Sequence, residues 1–241
     1  DVFVLYGFVR IADNYVDRIP QDSDGFYSFR HAYHEALRGR PSGRIIIDSF
    51  VELSRRHNFP DSWAEAFLHS MELDLQKKRH TTLKETLEYI YGSAEVIGLF
   101  MAKLMGLPED SYPAAQMLGR AMQYINFIRD IGEDNELGRI YLPISESPLP
   151  DLREHTARAH SDAFRDFLAE QLHRYDQWQE EAEKGYRYIP KRYLVPIKSA
   201  GDMYRWTAER IAKEPFLVYS RKVKPGRPRI LAQVLRNALT L

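Results

Sequence analysis

Apolar residues recur along this chain at the spacing of an α-helix almost from end to end. In the first helical stretch the apolar positions fall on one face: Leu5, Phe8, Val9, Ala12 and Val16. Such spacing is typical of a helix that packs one side against a core. No segment of useful length alternates apolar and polar residues as a half-buried strand does. The pattern therefore predicts an all-α protein, and the lack of internal repeats or long linkers predicts one domain across residues 1–241.

Residues that begin and end helices divide the chain into segments. Pro60 and Asp61 predict the start of one helix, and Thr82 and Glu85 have the spacing of a capping box. The sequence predicts helices over residues 63–76, 82–105, 114–134, 152–186, 195–211 and 230–239. Residues 138–151 contain three prolines and are expected to be non-helical. Helices of about 20 to 25 residues are roughly 30 Å long or more, which is enough to enclose a deep apolar cavity.

Composition limits the classes of function. The chain has 241 residues with 34 Lys and Arg against 34 Asp and Glu, so its formal net charge is +0 and no nucleic-acid partner is expected. Cysteine is absent, which excludes a disulfide, a thiolate nucleophile and a cysteine-based zinc site. These residues contain neither a visible signal peptide nor a run of about 18 apolar residues. We therefore expect a cytoplasmic protein that binds membranes at most peripherally. Because the chain begins at Asp1 inside an apolar run, we also expect that the natural N-terminus is missing.

Two pairs of aspartates stand at helical spacing: Asp13 with Asp17, and Asp130 with Asp134. Residues four apart lie one above the other on a helix face. Two such faces turned toward one cavity would form a cluster of hard oxygen ligands, which Mg²⁺ prefers and usually shares with water and phosphate oxygens. Either pair alone is more often part of a solvated helix face.

The surroundings of both pairs favour a buried site. Apolar residues flank each pair, and buried carboxylates are costly without a counter-ion. A metal ion would serve as that counter-ion, and so would Arg10 or Arg129, which stand beside the pairs and whose guanidinium groups also form forked contacts with phosphate oxygens. Gln123 and Asn126 share the helix face of the second pair, where they would hold diphosphate oxygens or metal-bound waters.

The acidic pairs lie within longer motifs that are similar to those of one enzyme family. The segments are Tyr6-Gly-Phe-Val-Arg-Ile-Ala-Asp-Asn-Tyr-Val-Asp17, Tyr89-Ile-Tyr-Gly-Ser-Ala-Glu-Val-Ile-Gly98, and Asn126-Phe-Ile-Arg-Asp-Ile-Gly-Glu-Asp134 followed by Gly138-Arg-Ile-Tyr-Leu-Pro143. They resemble the signatures of the squalene/phytoene synthase family, the head-to-head prenyl synthases. Leu73-Asp74 resembles a further family position. In departure from the family pattern, Asn14 stands where a second aspartate is frequent, and Ser93 and Glu95 stand where small or apolar residues are usual.

The resemblance implies a fold and a set of site residues. The fold is that of a class I isoprenoid synthase, an all-α bundle around a deep apolar cavity, of which residues 1–241 would lack the family's N-terminal helix. Mg²⁺, or Mn²⁺ in its place, would be bound by Asp13, Asp17, Asn126, Asp130 and Asp134. The aspartates would be catalytic together with Tyr6 and Tyr89, whose rings would stabilise a carbocation, assist proton removal or simply pack. Contacts to substrate would come from Arg10, Gln123, Asn126, Arg129, Tyr204, Arg221 and Arg229. Without the resemblance, the basic run that contains Arg221 and Arg229 is typical of a solvated end or a membrane-surface patch.

The resemblance also implies a reaction. We expect two geranylgeranyl diphosphates to give phytoene through a cyclopropylcarbinyl diphosphate, with release of diphosphate and delivery of the apolar product to a membrane surface. One alternative substrate is farnesyl diphosphate, which would give squalene, presqualene diphosphate or dehydrosqualene; NADPH would be needed only for squalene. Chain-length choice would depend on the cavity wall, for which the candidates are Ile97, Ala115, Leu118 and Met122. A distant alternative is a non-catalytic relative that acts as an assembly factor, although the intact acidic pairs argue against it.

Overall fold

The structure is built from helices, as the apolar periodicity predicts. It is a computed structural model that describes residues 1–220 and 222–241. The helices are α1 (Val2–Asp17), α2 (Ser23–Leu37), α3 (Ile45–His57), α4 (Asp61–Gln76), α5 (Leu83–Ile90), α6 (Val96–Leu104), α7 (Tyr112–Arg129), α8 (Ile131–Glu136), α9 (Glu154–Ala159), α10 (Ser161–Glu183), α11 (Lys191–Lys213), α12 (Leu217–Ser220) and α13 (Arg227–Thr240). A π-helical turn spans Tyr91–Glu95, and short 3₁₀ turns span Glu109–Ser111, Ile144–Glu146 and Lys184–Tyr188. Within the described residues no strand forms, and an isolated bridge pairs Arg79 with Ile140.

Several helix boundaries follow the sequence signals. Helix α4 begins at Asp61, directly after Pro60. Helix α5 begins after the predicted capping box, in which the Glu85 amide donates to Thr82 Oγ1 (3.3 Å) and the Thr82 amide donates to the Glu85 carboxylate (3.2 Å). These reciprocal bonds satisfy backbone groups that the first turn of a helix leaves unpaired.

Three of the predicted helices are divided in the structure, and the one predicted over 152–186 is interrupted at His160, between α9 and α10. The helix predicted over 82–105 consists of α5 and α6 joined by the π turn, and the helix predicted over 114–134 ends at Arg129. Asp130 separates α7 from α8 with φ −98° and ψ 12°, which lies in the bridge region of backbone space. None of these interruptions disturbs the apolar spacing enough to be visible in the sequence, which is why periodicity predicts continuous helices there.

Helices α6 and α7 touch backbone to backbone. A Cβ atom at Gly98 would lie 2.2 Å from the carbonyl oxygen of Ala115, and one at Gly119 would lie 2.4 Å from that of Ala94. Because these distances are far below van der Waals contact, only glycine lets the helices lie so close. The contact fixes the π turn and α6 against α7.

Two buried apolar clusters form the core. The first cluster contains residues of α1, α2, α3, α4 and α6. Within it the Phe8 ring stacks on the Phe50 ring, with centroids 3.9 Å apart. The other surrounds α7, whose Tyr124, Ile125 and Ile128 are fully buried in the region packed by α10 and α11. The two predicted acidic pairs therefore stand on helices from different clusters, the first on α1 and the second at the junction of α7 and α8.

Candidate functional site

Helix α1 presents the first acidic pair on the side opposite its core face. The side that packs in the core carries Leu5, Phe8, Ala12 and Val16. The other side carries Asp13 and Asp17, with Arg10 one turn earlier and its Nη1 atom donating to Asp13 Oδ2 at 3.0 Å. Tyr6 stands a further turn earlier and is 62% exposed. The structure thus brings Arg10 onto the acidic pair and leaves Tyr6 at its open edge.

The second acidic pair is held by two basic side chains. Arg129 forms a forked contact with Asp130, with its Nε 2.8 Å from Oδ1 and its Nη2 2.6 Å from Oδ2. Lys222 reaches the same carboxylate from a distant part of the chain, with Nζ 3.3 Å from Asp130 Oδ1, and also contacts Glu133. The sequence predicts Arg129 as a substrate contact. It does not predict Lys222, which is one of several basic residues in the run that contains Arg221 and Arg229.

Arg139 joins the two acidic motifs. Gly138, with φ +72°, ends α8 in the left-handed conformation that favours glycine. The chain then turns so that the Arg139 side chain reaches back to α1, where Nη1 donates to Asp17 Oδ1 (3.1 Å) and Nη2 donates to the Val16 carbonyl (3.1 Å). Its backbone amide donates to the Asp134 carbonyl at 2.7 Å. The segment 138–143 was recognised as a motif in the sequence, but the role of Arg139 in joining the two pairs was not predicted.

A buried carboxylate, Asp74, anchors the walls of the site. Its two oxygens accept hydrogen bonds from Tyr141 (2.7 Å) and Tyr89 (2.6 Å), and its backbone carbonyl accepts one from Gln21 (3.0 Å). Burial raises the pKa of Asp74 to about 6, and the two tyrosine hydroxyls oppose this shift. Tyr89, a predicted catalytic residue, therefore has its hydroxyl bound to a carboxylate and its ring fixed beside Tyr141, with centroids 5.0 Å apart.

Backbone bonds hold the segment after α8 in register with the segment before α5. The Ile140 amide donates to the Lys78 carbonyl (2.9 Å), the His80 amide donates to the Ile140 carbonyl (2.7 Å), and the Ser145 amide donates to the Thr81 carbonyl (3.0 Å). This pairing sets the positions from which Arg139 and Tyr141 reach Asp17 and Asp74.

The acidic pairs lie in an environment that favours added positive charge. Burial raises the pKa of Asp13 to about 6, with a further contribution from Asp17. Burial raises the pKa of Asp134 to about 7, with a further contribution from Asp130. The charge of Arg139 lowers the pKa of both Asp13 and Asp134, so it acts on both motifs. Desolvated carboxylates beside like charges are stabilised by a bound cation.

Asn126 adds an unused oxygen to this environment. Its Oδ1 atom is buried and has no hydrogen-bond partner, which is costly for an amide oxygen unless a ligand completes it. Oxygen donors of this kind are those that Mg²⁺ prefers, and Asp13, Asp17, Asn126, Asp130 and Asp134 are the residues that would supply them. Within residues 1–220 and 222–241, no three acidic or histidine side chains converge closely enough to hold a metal ion by themselves.

The remaining predicted substrate contacts lie around the second motif. Gln123 is half-buried on α7, one turn before Asn126. Tyr204 of α11 packs against the second cluster and lies near Arg129. Arg229 is exposed, with its guanidinium 5.1 Å from the Trp206 ring, and it lines a cleft of about 360 Å³ together with Lys222. Arg221 lies outside the described residues.

Glu95 is buried in an ion pair. Its Oε1 atom lies 2.7 Å from Nε of Arg120 on α7, and the Arg120 guanidinium lies 5.3 Å from the Trp178 ring on α10. The sequence left the direction of Glu95 open. The structure places Glu95 at the end of the π turn, with its side chain directed toward α7.

Comparison with known proteins identifies the family. The model of the squalene/phytoene synthase family matches residues 1–229. Phytoene synthase 1 of Solanum lycopersicum, a chloroplast protein, is 30% identical over 165 residues, which are 64% of this chain and 40% of that protein. The 15-cis-phytoene synthase of a Paracoccus strain is 29% identical over 153 residues, which are 59% of this chain and 50% of that protein. The chain thus spans about half the length, or less, of these two relatives.

Solved structures show the same all-α fold. A dehydrosqualene synthase in complex with ligand superposes with a TM-score of 0.79 at 22% identity, covering 98% of this chain and 84% of that one. Squalene synthase HpnC from Alicyclobacillus acidocaldarius superposes with a TM-score of 0.78 at 19% identity, covering 89% of this chain and 83% of that one. Together with the match of the family model over 1–229, the two acidic motifs that meet at Arg139 lead to one conclusion: the chain belongs to the squalene/phytoene synthase family.

Proposed function

We propose that this protein condenses two geranylgeranyl diphosphates head to head to give phytoene, through a cyclopropylcarbinyl diphosphate and with release of diphosphate. The observation that carries this proposal is the meeting of two acidic motifs at Arg139, with the unpaired oxygen of Asn126 one helical turn before Asp130. The C40 substrate is supported by the relatives reported above, which are named phytoene synthases.

The polar end of the site would bind the diphosphates. Mg²⁺, or Mn²⁺ in its place, would be held by the five oxygen-bearing residues named above and would neutralise charge on the leaving diphosphate. Arg10 and Arg129, already bound to the aspartates, have additional N–H groups suited to phosphate oxygens, and the cleft with Lys222 and Arg229 adds positive charge. Arg139 positions α1 relative to α8, and so sets the separation of the two acidic pairs.

The apolar end of the site would protect the carbocation from water. Ile97 on α6 and Ala115, Leu118 and Met122 on α7 are apolar but only half-buried. We propose that they line the space for the prenyl chains, from which water must be excluded while the cation exists. Tyr89 would act from the wall of this space, where its hydroxyl is bound to Asp74 and its ring is buried against Tyr141 and Phe127. Tyr6 would act at the open edge, either on the cation or in proton removal assisted by released diphosphate.

A product assay tests the proposed substrate. Purified protein is incubated with geranylgeranyl or farnesyl diphosphate and Mg²⁺, with and without NADPH, and the extracted products are identified by mass spectrometry. We expect phytoene from geranylgeranyl diphosphate without NADPH. A C30 product alone would instead establish the farnesyl diphosphate alternative.

A matched pair of variants tests the acidic motif. Asp130→Asn should lower activity at least about a hundredfold, because charge stabilisation by a metal site contributes several kcal/mol to the transition state. Asp166→Asn, an exposed aspartate on α10, should leave activity unchanged. Full activity of Asp130→Asn would contradict the proposed metal site, and an inactive wild-type protein would favour a non-catalytic relative.

We also propose that the protein is cytoplasmic and associates peripherally with a bilayer. The supporting argument is chemical, because a C40 hydrocarbon product partitions strongly into lipid. Of the helices in the described residues, none is both long and apolar enough to cross a membrane.

A further inference from the structure

Helix α13 binds the rest of the protein through polar residues. Asn237 is buried, and its Nδ2 atom donates to Ser199 Oγ (3.1 Å) and to Asp202 Oδ2 (2.7 Å) on α11. Gln233, one turn earlier, donates to the same Asp202 oxygen at 2.7 Å. These bonds determine which side of α13 faces the protein.

The opposite side of α13 carries a row of exposed leucines. Leu231, Leu235 and Leu239 follow one another at intervals of four residues, so they lie along one face of the helix. Their exposed fractions are 64%, 65% and 86%. A surface helix normally turns its apolar residues to the core and its polar residues to solvent. Because α13 does the reverse, packing within this chain does not explain the leucine row.

The charged side chains in the segment that carries the leucine row are all positive. Residues 222–241 contain no acidic residue and five basic ones, all exposed: Lys222, Lys224, Arg227, Arg229 and Arg236. A helix with an apolar row and basic flanks is typical of segments that lie in the interface of a bilayer. Basic side chains near such a surface are attracted to anionic lipid headgroups.

This surface begins at the rim of the candidate site. Lys222 contacts Asp130 and Glu133, and α13 begins at Arg227, five residues later. If the proposed function holds, an apolar product that leaves the site at this rim has a short path to a bilayer bound by α13.

We propose that the leucine row of α13, with its flanking arginines, is the surface through which this protein docks onto bilayers that contain anionic lipid. The leucines insert among the headgroups and upper acyl chains. The arginines at 227 and 236 lie at headgroup level.

Vesicle binding with matched variants tests the proposal. Flotation is measured with vesicles of phosphatidylcholine alone or mixed with phosphatidylglycerol. We expect Leu231→Gln/Leu235→Gln to bind the mixed vesicles about tenfold more weakly than wild type or worse, because two apolar side chains no longer enter the lipid. Glutamine is a good helix former, so α13 is retained. The control Phe3→Gln/Ile45→Gln removes side chains that are 90% and 80% exposed from another surface and should bind like wild type.

The charge is tested separately. Wild type should bind mixed vesicles about tenfold more tightly than neutral ones, and Arg227→Gln/Arg236→Gln should reduce that difference. Equal vesicle binding by wild type and Leu231→Gln/Leu235→Gln would overturn the proposal. It would also be overturned if sedimentation velocity without vesicles revealed a wild-type dimer that this variant lost, because the leucines would then bind a second copy of the chain.

Product formation from detergent-dispersed substrate separates docking from chemistry. The leucine variant should retain wild-type activity there while it loses vesicle binding. Normal vesicle binding by a wild-type protein that forms no product would refute the proposed function and leave the docking surface in place.

Discussion

Arg139 has the most consequential position among the single residues of the site. Its two terminal nitrogens bind a carboxylate and a backbone carbonyl on α1, while its own amide binds α8. Lysine keeps the charge but lacks the planar fork that makes both contacts at once. The residue therefore acts by positioning the two acidic pairs, and its replacement should alter metal dependence as well as rate.

We expect Arg139→Gln to lower kcat/KM about a hundredfold, since small displacements of catalytic groups have effects of that size. Arg139→Lys should retain more activity than Arg139→Gln but require more Mg²⁺ for half-maximal rate. Titration of activity with Mg²⁺ measures both effects. Arg158→Gln, which breaks an exposed pair with Glu154 on α9, is the matched control. A glutamine variant with an unchanged Mg²⁺ requirement would contradict the positioning role.

The buried Glu95–Arg120 ion pair should contribute measurably to the free energy of unfolding. Removing one partner of a buried ion pair leaves an uncompensated charge, which typically costs about 3 to 5 kcal/mol, whereas replacing both partners with apolar residues is often neutral. Arg120 retains 20% exposure, so Glu95→Gln should lie near the low end, about 3 kcal/mol. Glu95→Leu/Arg120→Met should recover most of that loss in urea unfolding. Glu154→Gln, which breaks an exposed ion pair, should lower the free energy of unfolding by under about 1 kcal/mol. An equally small loss for Glu95→Gln would contradict the stabilising role of the buried pair.

Sequence spacing predicts what happens within a helix better than what happens between helices. The acidic pairs, their arginine neighbours and the capping box at Thr82 were all predictable because the interacting residues are close in sequence. The bond between Arg139 and Asp17 joins residues 122 positions apart, and no periodicity encodes such a contact. Helix α13 is a second example. Its leucine spacing predicts a helix, but the leucines face outward because Asn237 on the other side of the helix binds Asp202 of α11.

The connection between α4 and α5 contains a buried histidine whose titration should be visible. His80 is 1% exposed, its ring stacks on Tyr141 with centroids 5.5 Å apart, and its Nε2 atom has no hydrogen-bond partner. Burial, assisted by the charge of Lys77, lowers its pKa to about 4 from 6.5. The unfolded chain therefore takes up the proton first as the pH falls. The stability that neutral His80 contributes is lost progressively between pH 6.5 and pH 4, and is fully present above this range.

Thermal unfolding of wild type and His80→Phe across that range measures the effect. The phenylalanine variant should lose less stability on acidification, because it keeps a stacked ring and cannot be protonated. Asp74, with its pKa raised to about 6, acts in the opposite direction over part of the range, so the difference between the two proteins is the informative quantity. His69→Phe, at a half-exposed position, should follow wild type. Parallel curves for wild type and His80→Phe would contradict the prediction.

The whole molecule is organised so that its two apolar clusters meet at the candidate site. The first cluster carries α1 with one acidic pair, and the second carries α7 with Asn126 and Asp130. Arg139 and the hydrogen bonds of Asp74 to Tyr89 and Tyr141 join the two clusters. Asp13 and Asp134 nevertheless keep raised pKa values, and the Asn126 side-chain oxygen has no hydrogen-bond partner. A ligand that supplies positive charge and further oxygens should therefore bind both clusters and stabilise the fold as a unit.

Mg²⁺ and inorganic diphosphate should accordingly raise the unfolding temperature together far more than either does alone. Diphosphate is repelled by the aspartates in the absence of the metal, and Mg²⁺ lacks phosphate ligands in the absence of diphosphate. Saturation at about a hundred times Kd adds about 2.7 kcal/mol, which corresponds to a rise of roughly 5 to 10 °C in a chain of this size. Differential scanning fluorimetry measures the shift. Asp130→Asn/Asp134→Asn should lose the joint shift and Asp166→Asn should keep it, whereas an equal shift by diphosphate in EDTA would mean that the basic side chains bind it without the acidic pairs.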